Sequence, residues 1–137
     1  MLATLGAGSC VDVRGGAVEA GWDLRYPDGR RTDADDNYID CARSRLGRMA
    51  LALTPSGGGD DPCAGQAYCE FGCSNLGFGT TEFAIPQGEY AIVLEVLDPA
   101  GKVLMPADGI VGPGAMVRQI LTGEITSLSV NLIIVSR

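Results

Sequence analysis

The chain has 137 residues and a formal net charge of −7, with 46% apolar and 20% charged residues. This length fits one domain, and the apolar content is that of a folded protein rather than a disordered one. An acidic surface repels phosphate backbones, so we expect no nucleic-acid partner. The longest strongly apolar run, residues 128–135, is far shorter than the roughly 20 residues that span a bilayer.

The many glycine and proline residues favour a β fold. The chain contains 20 glycines and seven prolines, which suits a protein with many short elements and tight turns. Short apolar segments at about ten-residue spacing predict an all-β fold, a Greek-key β-sandwich of about seven short antiparallel strands with disulfide-tied loops. We expect residues 11–137 to form this domain. Residues 1–10 are expected to be a partial export or lipidation signal, or a disordered N-terminus.

The first half of the chain predicts strands separated by polar loops. Within residues 18–26, Val18, Trp22 and Leu24 recur on one side, which predicts a strand that carries the single tryptophan into the core. The following segments are predicted as a turn at 27–29, a loop at 30–40, one or two helical turns within 37–46, a strand at 48–54, a glycine-rich loop from 55 to 59 and a short strand at 69–73.

The second half has the clearest strand pattern. A turn at 86–88 leads into a strand at 89–97, and a second turn at 98–101 predicts a hairpin partner at 102–105. Strands at 116–121 and 125–135 complete the prediction. In the last strand, alternation predicts an inward set and an outward set. The inward set is Leu128, Val130, Leu132 and Ile134, and the outward set is Ser127, Ser129 and Asn131.

The cysteine content predicts an oxidising compartment. Thiols stay reduced in the cytosol, so five cysteines in a small chain indicate disulfides. A zinc site would need paired Cys-x-x-Cys motifs or histidine, and the chain has no histidine. If Cys10 is the unpaired thiol, the other four cysteines allow three pairings. We favour Cys41–Cys73 with Cys63–Cys69, and the tighter pairing Cys41–Cys63 with Cys69–Cys73 stays open as the alternative.

The segment before Cys10 resembles the end of a bacterial lipoprotein signal, in which small residues precede a cysteine that becomes lipidated. The resemblance implies a lipid anchor at Cys10 and a periplasmic, outer-membrane-anchored or extracellular location. Ala7 stands where such signals carry leucine, and residues 1–9 are shorter than a complete export signal. Two interpretations stay open, either a lipidated Cys10 in a chain that starts upstream or a plain, partly buried thiol.

Residues 85–94 resemble a recurring piece of prealbumin-like and carboxypeptidase-regulatory-like β-sandwiches. In those modules a Pro-x-Gly-x-Tyr turn enters a central strand, and here Gly88 would let the chain reverse. Tyr90 would bury its ring while its hydroxyl reaches a partner near the corner. Small cysteine-bearing domains of secreted bacterial lipoproteins are similar over most of residues 17–135. The motifs that carry this second resemblance are Trp22-x-Leu24, Cys41, Phe71-x-Cys73 and Gly88-x-Tyr90.

We expect no enzymatic activity, since without histidine neither a Ser-His-Asp nor a Cys-His arrangement can form. One stretch spaces oxygen ligands as the start of a calcium loop does. Its pattern departs from a calcium loop at Tyr38, where glycine is expected, and at Ser44, where glutamate is expected. The candidate calcium ligands are Asp33, Asp35, Asn37 and Asp40.

The leading functional hypothesis is a non-catalytic module of the cell envelope or extracellular space with a structural or protein-binding role. The first alternative is a surface-fibre subunit whose final strand, 125–135, completes a neighbour's sheet by strand addition. The second is a sugar- or calcium-binding domain. The aromatic residues in or beside loops that would supply a sugar platform are Tyr26, Tyr38, Tyr68 and Phe78.

Overall fold

The structure, a computed structural model, describes residues 13–137. Cys10 and the predicted signal segment therefore lie outside the described residues. Within them the fold is all-β, as predicted, with short 3-10 turns at Ala67–Cys69 and Pro106–Asp108. The strands are β1 (Ala17–Arg25), β2 (Arg48–Pro55), β3 (Glu70–Gly72), β4 (Leu76–Thr80), β5 (Gly88–Leu97), β6 (Ile110–Val111), β7 (Met116–Ile120) and β8 (Ile125–Val135).

These strands form two four-stranded sheets. Sheet I has the order β4-β1-β8-β6, and sheet II has the order β3-β2-β5-β7. All strand pairs are antiparallel except β1 with β8, which run parallel in the middle of sheet I. The described residues thus contain eight strands where about seven were predicted, and a purely antiparallel arrangement is wrong for this one pair. A parallel pair needs a long crossover connection, and here most of the chain lies between the two strands.

The core lies between the two sheets. The inward residues of β1 are those that the alternation predicted, since Val18, Trp22 and Leu24 are fully buried. Sheet II supplies the opposite wall of the core through alternate residues of its two central strands, β2 and β5. These residues are Met49, Leu51, Leu53, Ile92, Leu94 and Val96.

Strand β4 accommodates the large ring of Trp22 by placing glycines against it. The Trp22 and Phe71 rings stack with their centroids 6.1 Å apart, and the Trp22 indole nitrogen donates to the carbonyl oxygen of Ser74 at 2.9 Å. A Cβ atom at Gly77 would lie 3.0 Å from the Trp22 ring, and one at Gly79 would overlap the Phe71 ring. Only glycine therefore fits at these two inward positions of β4.

The predicted inward and outward sets of β8 are wrong beyond Ser129, whereas Leu128 is inward and Ser129 is exposed as predicted. Between positions 19 and 21 of β1 the paired strand advances from Ser127 to Val130, one residue more than a regular ladder allows. This β-bulge includes Ser129, whose φ of 59° lies in the left-handed region. The extra residue reverses the alternation that follows it. The inward set is therefore Leu128, Asn131, Ile133 and Val135, whereas Val130 and Leu132 are exposed and Ile134 is half-buried.

Two smaller predictions also differ from the structure. The helical turns predicted within 37–46 reduce to hydrogen-bonded turns, one of which joins the Ser44 amide to the Asp40 carbonyl at 2.9 Å. The hairpin partner predicted at 102–105 reduces to an isolated bridge between Leu97 and Val103. Both segments are short and border loops.

Tyr90 occupies the corner position that the sequence predicted. Its side chain is buried, and its hydroxyl donates to the carbonyl oxygen of Pro86 at 2.6 Å. Burial raises the pKa of Tyr90 above its ordinary value of 10.0, since the low-polarity surroundings disfavour the phenolate.

Replacing Tyr90 with phenylalanine is expected to lower the free energy of unfolding by about 1 kcal/mol at neutral pH, because the hydrogen bond to Pro86 is lost. The folded state holds the phenol proton more tightly than the unfolded state, so this group's contribution is complete below the ordinary pKa. The contribution is lost as pH rises through the higher folded pKa. Urea unfolding at neutral and alkaline pH should show a smaller alkaline loss in Tyr90→Phe than in the wild type. The exposed Tyr38 provides the control Tyr38→Phe, and an unreduced alkaline loss in Tyr90→Phe would contradict the prediction.

Candidate binding face on sheet I

The outer surface of sheet I carries exposed apolar side chains that the core does not use. Their exposed fractions range from 51% to 72%. We call this set the apolar face. It comprises Leu76 and Phe78 from β4, Val130 and Leu132 from β8, and Val111 from β6.

The strand register brings the apolar face together around the middle of β1. Gly21 pairs with Phe78 on one side and Val130 on the other, and Asp23 pairs with Leu76 and Leu132 in the same way. Residues that pair directly across neighbouring strands lie on the same side of a sheet. Four large apolar side chains therefore flank two adjacent outward positions of one strand.

A groove of about 540 Å³ runs over the centre of this face. Gly21 forms its floor, and Phe78 and Val130 rise on its two sides. A Cβ atom at Gly21 would approach Val130 and the Ser129 carbonyl to 3.3 Å, so a larger residue would begin to fill the groove. Polar side chains among the lining residues are Glu19, Ser127 and Ser129.

A charged cluster begins within the apolar face, at Asp23, and continues towards the end of β1 at Arg25. The Asp23 side chain, only 5% exposed as a residue, accepts hydrogen bonds at Oδ2 from Arg25 at 2.8 and 3.0 Å and from Arg31 at 3.1 Å. Its Oδ1 is buried with no hydrogen-bond partner in the described part of the chain. The Arg25 hydrogen bond lowers the pKa of Asp23, with a smaller contribution from Arg31, although burial opposes the shift.

The two ends of the face therefore differ in charge. We call Asp23, Arg25 and Arg31 the arginine cluster. Its two guanidinium groups and one carboxylate give it a net charge of +1. Glu19 lies on the same side of β1 as Asp23 and Arg25, six residues before Arg25, which is about 20 Å along a strand. The apolar face thus has a carboxylate, Glu19, at one end, and a net positive cluster that extends from Asp23, between Leu76 and Leu132, to the other end.

Most of the apolar face was not predicted from the sequence. Of its five residues only Phe78 was predicted to be exposed, as an aromatic for sugar binding, whereas Val130 and Leu132 were assigned to the core. The sequence Leu76-Gly77-Phe78-Gly79 alternates large apolar residues with glycine, and alternation alone would place the large side chains towards the core, so it gives no signal for their exposure. The exposure of Val130 and Leu132 depends on the Ser129 bulge, for which alternation offers no sign.

The predicted calcium ligands are not brought together as a metal site. Oδ1 of Asp33 accepts from the backbone amides of Asp35 and Asn37 at 2.8 and 2.9 Å. Oδ1 of Asp40 accepts from the Arg43 amide at 3.1 Å. No group of three or more His, Cys, Asp or Glu side chains in residues 13–137 could hold a metal ion. Calcium binding stays a prediction that this geometry does not favour.

The four aromatic residues proposed for a sugar platform have different surroundings. Tyr38 and Phe78 are exposed, whereas Tyr26 and Tyr68 pack partly against the core. The Tyr26 hydroxyl also donates to the Asn37 carbonyl at 3.1 Å. Only Phe78 of this set lies on the apolar face.

The disulfide pairing in the structure is the one that the sequence favoured. Cys41 pairs with Cys73, with their Cα atoms 6.1 Å apart, and Cys63 pairs with Cys69 at 5.6 Å. The Cys41–Cys73 bond ties the long loop after β1 to the segment that leads into β4, so it holds one border of the apolar face. In the described residues, no helix is long and apolar enough to cross a membrane.

Comparison of the chain with protein-family models, curated protein sequences and solved structures found no significant match.

Proposed function

We propose that the protein is a non-catalytic Greek-key β-sandwich module of the cell envelope or extracellular space that binds another protein through the apolar face of sheet I. The observation that carries this proposal is the inverted pattern of β4 and β8. β4 places glycines towards the core and Leu76 and Phe78 towards solvent, and beyond its bulge β8 places Asn131 inward and Val130 and Leu132 outward. Contiguous exposed apolar surface of this kind is typical of interaction sites.

The charges bordering the face define the chemistry of the partner. A protein surface that fits this face presents apolar side chains between a basic group, which meets Glu19, and an acidic group, which meets the arginine cluster. Complementary charges at the rim of an apolar contact fix the orientation of the two proteins and accelerate their encounter. The polar groups of the groove lie at one end only, which favours a protein over a sugar as its occupant.

Export and lipid anchoring at Cys10 are part of this proposal. Two disulfides are compatible with an exported protein, because they persist in oxidising compartments. The resemblance to small cysteine-bearing domains of secreted bacterial lipoproteins supports the same location. Strand donation is less well supported, because β8 already pairs with β1 and β6 and buries Leu128, Ile133 and Val135 in this chain's own core.

The binding proposal is tested by placing a photo-activated cross-linking residue at position 78 in the organism that produces the protein. We expect discrete cross-linked protein products that disappear when Val130→Asp is added, since a carboxylate in the face opposes apolar contact. Position 117 is the matched control, because Val117 is also exposed but lies on β7 of sheet II. Cross-linking that is equal at positions 78 and 117, or unaffected by Val130→Asp, would contradict the proposal.

The intact mass of the same recovered protein tests export and anchoring. We expect a diacylglycerol-sized increment with residues 1–9 removed, and four cysteines that are alkylated only after reduction. A chain with five free thiols and no added mass would contradict both the envelope location and the lipid anchor.

A further inference from the structure

The apolar face fits a second copy of itself, and this inference rests on the proposed function. We infer that two copies of the chain pack their apolar faces together with strands antiparallel. In this arrangement Glu19 of each copy lies over the arginine cluster of the other. The reasons are the order of residues along β1, the charges at its two ends and the symmetry that a pair of identical chains adopts.

Four rows of residues cross the outer surface of sheet I. The strand register defines them, and each row lies about 7 Å from the next because outward residues are two positions apart. The first row contains Glu19 and the second Gly21, flanked by Phe78 and Val130. The third row contains Asp23, flanked by Leu76 and Leu132, and the fourth contains Arg25 with Ile134.

In the proposed pair a two-fold axis lies in the interface, runs across the strands and passes between the second and third rows. It places each row of one copy over a different row of the other copy. Most pairs of identical subunits are related by such an axis, and each patch then contacts its own equivalent. The second row of one copy meets the third row of the other, so Phe78 lies against the second copy's Leu76 and Val130 against its Leu132. The first row meets the fourth, which brings Glu19 over the second copy's Arg25. By symmetry, each pair of chains contains two such contacts.

The other face-to-face arrangement is disfavoured by charge. If the two-fold axis ran along the strands, each row would meet itself, so Glu19 would face the second copy's Glu19. The two arginine clusters, each with a net charge of +1, would also face one another. Like charges placed together at an interface disfavour it. Only the antiparallel arrangement places opposite charges at both ends of the apolar contact.

The size of the face sets the expected strength of the pair. Four strands about 4.8 Å apart and four rows about 7 Å apart cover on the order of 300–400 Å² of sheet surface on each copy, with the charged residues included. This surface is about half of the roughly 800 Å² per partner in stable complexes. We therefore expect a reversible dimer that forms at micromolar to submillimolar concentration.

Sedimentation velocity of the purified, oxidised chain over a concentration series tests the inference. We expect a monomer–dimer equilibrium that Val130→Asp abolishes and that Glu19→Lys weakens at least tenfold, because the introduced ammonium group would meet the positive cluster of the second copy. In the disfavoured arrangement Glu19→Lys would leave association unchanged, since two lysines repel one another as two glutamates do. This variant therefore tests the orientation as well as the face.

Matched controls separate these effects from general changes in charge and polarity. Glu89→Lys makes the same charge change at an exposed position of β5 in sheet II, and Val117→Asp introduces the same carboxylate on β7. Both controls should dimerise as the wild type does. A wild-type chain that stays monomeric throughout, or a dimer that Val130→Asp and Glu19→Lys do not weaken, overturns the inference. If the chain is monomeric but cross-linking at position 78 persists with another protein, the proposed function stands and only the second copy is excluded.

Discussion

Replacing Trp22 with alanine is expected to lower the free energy of unfolding by about 3–5 kcal/mol. The Trp22 side chain is fully buried, stacks on Phe71 and lies against Gly77 of β4. Its removal leaves a cavity that β4 cannot fill, because Gly77 and Gly79 have no side chains to move into it. A loss of this size is a large fraction of the roughly 5–15 kcal/mol that stabilises a typical domain. Urea unfolding of the oxidised variant measures it.

Phe78→Ala is the matched control, since it also truncates an aromatic residue on sheet I. Its ring faces solvent, so we expect a change in the free energy of unfolding within about 0.5 kcal/mol. The same variant should weaken dimerisation, because the ring packs against the second copy's Leu76 in the proposed pair. If Phe78→Ala destabilised the chain as much as Trp22→Ala does, Phe78 would support the fold rather than a partner.

The strands that follow regular alternation were predictable from the sequence. In β1 the apolar residues at alternate positions are buried against sheet II, and this burial determines which side faces inward. The strand at 89–97 and the Tyr90 corner follow from the same alternation together with the Pro-x-Gly-x-Tyr turn. In these segments local pattern and burial agree, so the register has a single solution.

The register of β8 was not predictable from alternation. Its inward set up to Leu128 was correct, but the extra residue at the bulge moved Val130 and Leu132 to the outside. Apolar residues stand at both alternating sets in the last part of this strand, so either set satisfies a hydrophobic pattern. The set that contains the buried Asn131 faces the core. The Asn131 side-chain nitrogen donates to the Gly21 carbonyl at 3.0 Å and to the Ser129 carbonyl at 3.3 Å.

The binding face depends on long-range pairing that sequence patterns do not specify. Its two halves come from β4 and β8, which are joined only through β1. The parallel pairing of β1 with β8 links strands from opposite ends of the chain, and nothing in either segment encodes that neighbour. Asp23 likewise becomes part of a cluster only when Arg31 in the following loop reaches it. The all-β class and the favoured cysteine pairing were accessible from the sequence, whereas the face required the structure.

The second large effect expected is the loss of the Cys41–Cys73 disulfide. The two cysteines are 32 residues apart, and closing a loop of this length restricts the unfolded chain by about 3–4 kcal/mol. Replacing both with alanine, in a chain that also carries Cys10→Ser to prevent thiol exchange, is expected to lower the free energy of unfolding by this amount. Urea unfolding under oxidising conditions measures the loss.

The matched control removes the other disulfide. Cys63 and Cys69 are six residues apart, so loop closure contributes only about 2 kcal/mol. Their bond lies within the segment that leads into β3 of sheet II, whereas Cys73 lies next to the segment that enters β4 of sheet I. Hydrogen exchange of the amides in β4 should therefore accelerate in the Cys41–Cys73 variant beyond what its lower global stability explains. The control variant should show only the acceleration that its own loss of stability causes.

Loss of the Cys41–Cys73 bond should also weaken the proposed dimer. Leu76 and Phe78 lie within five residues of Cys73, so a looser entry into β4 disorders one side of the apolar face. The control variant leaves this side intact and should dimerise as the wild type does. If both variants lost stability and neither changed β4 exchange or dimerisation, the disulfide would hold the fold without holding the face. The rigidity of β4 would then come from its pairing with β1 and from the Trp22 contacts.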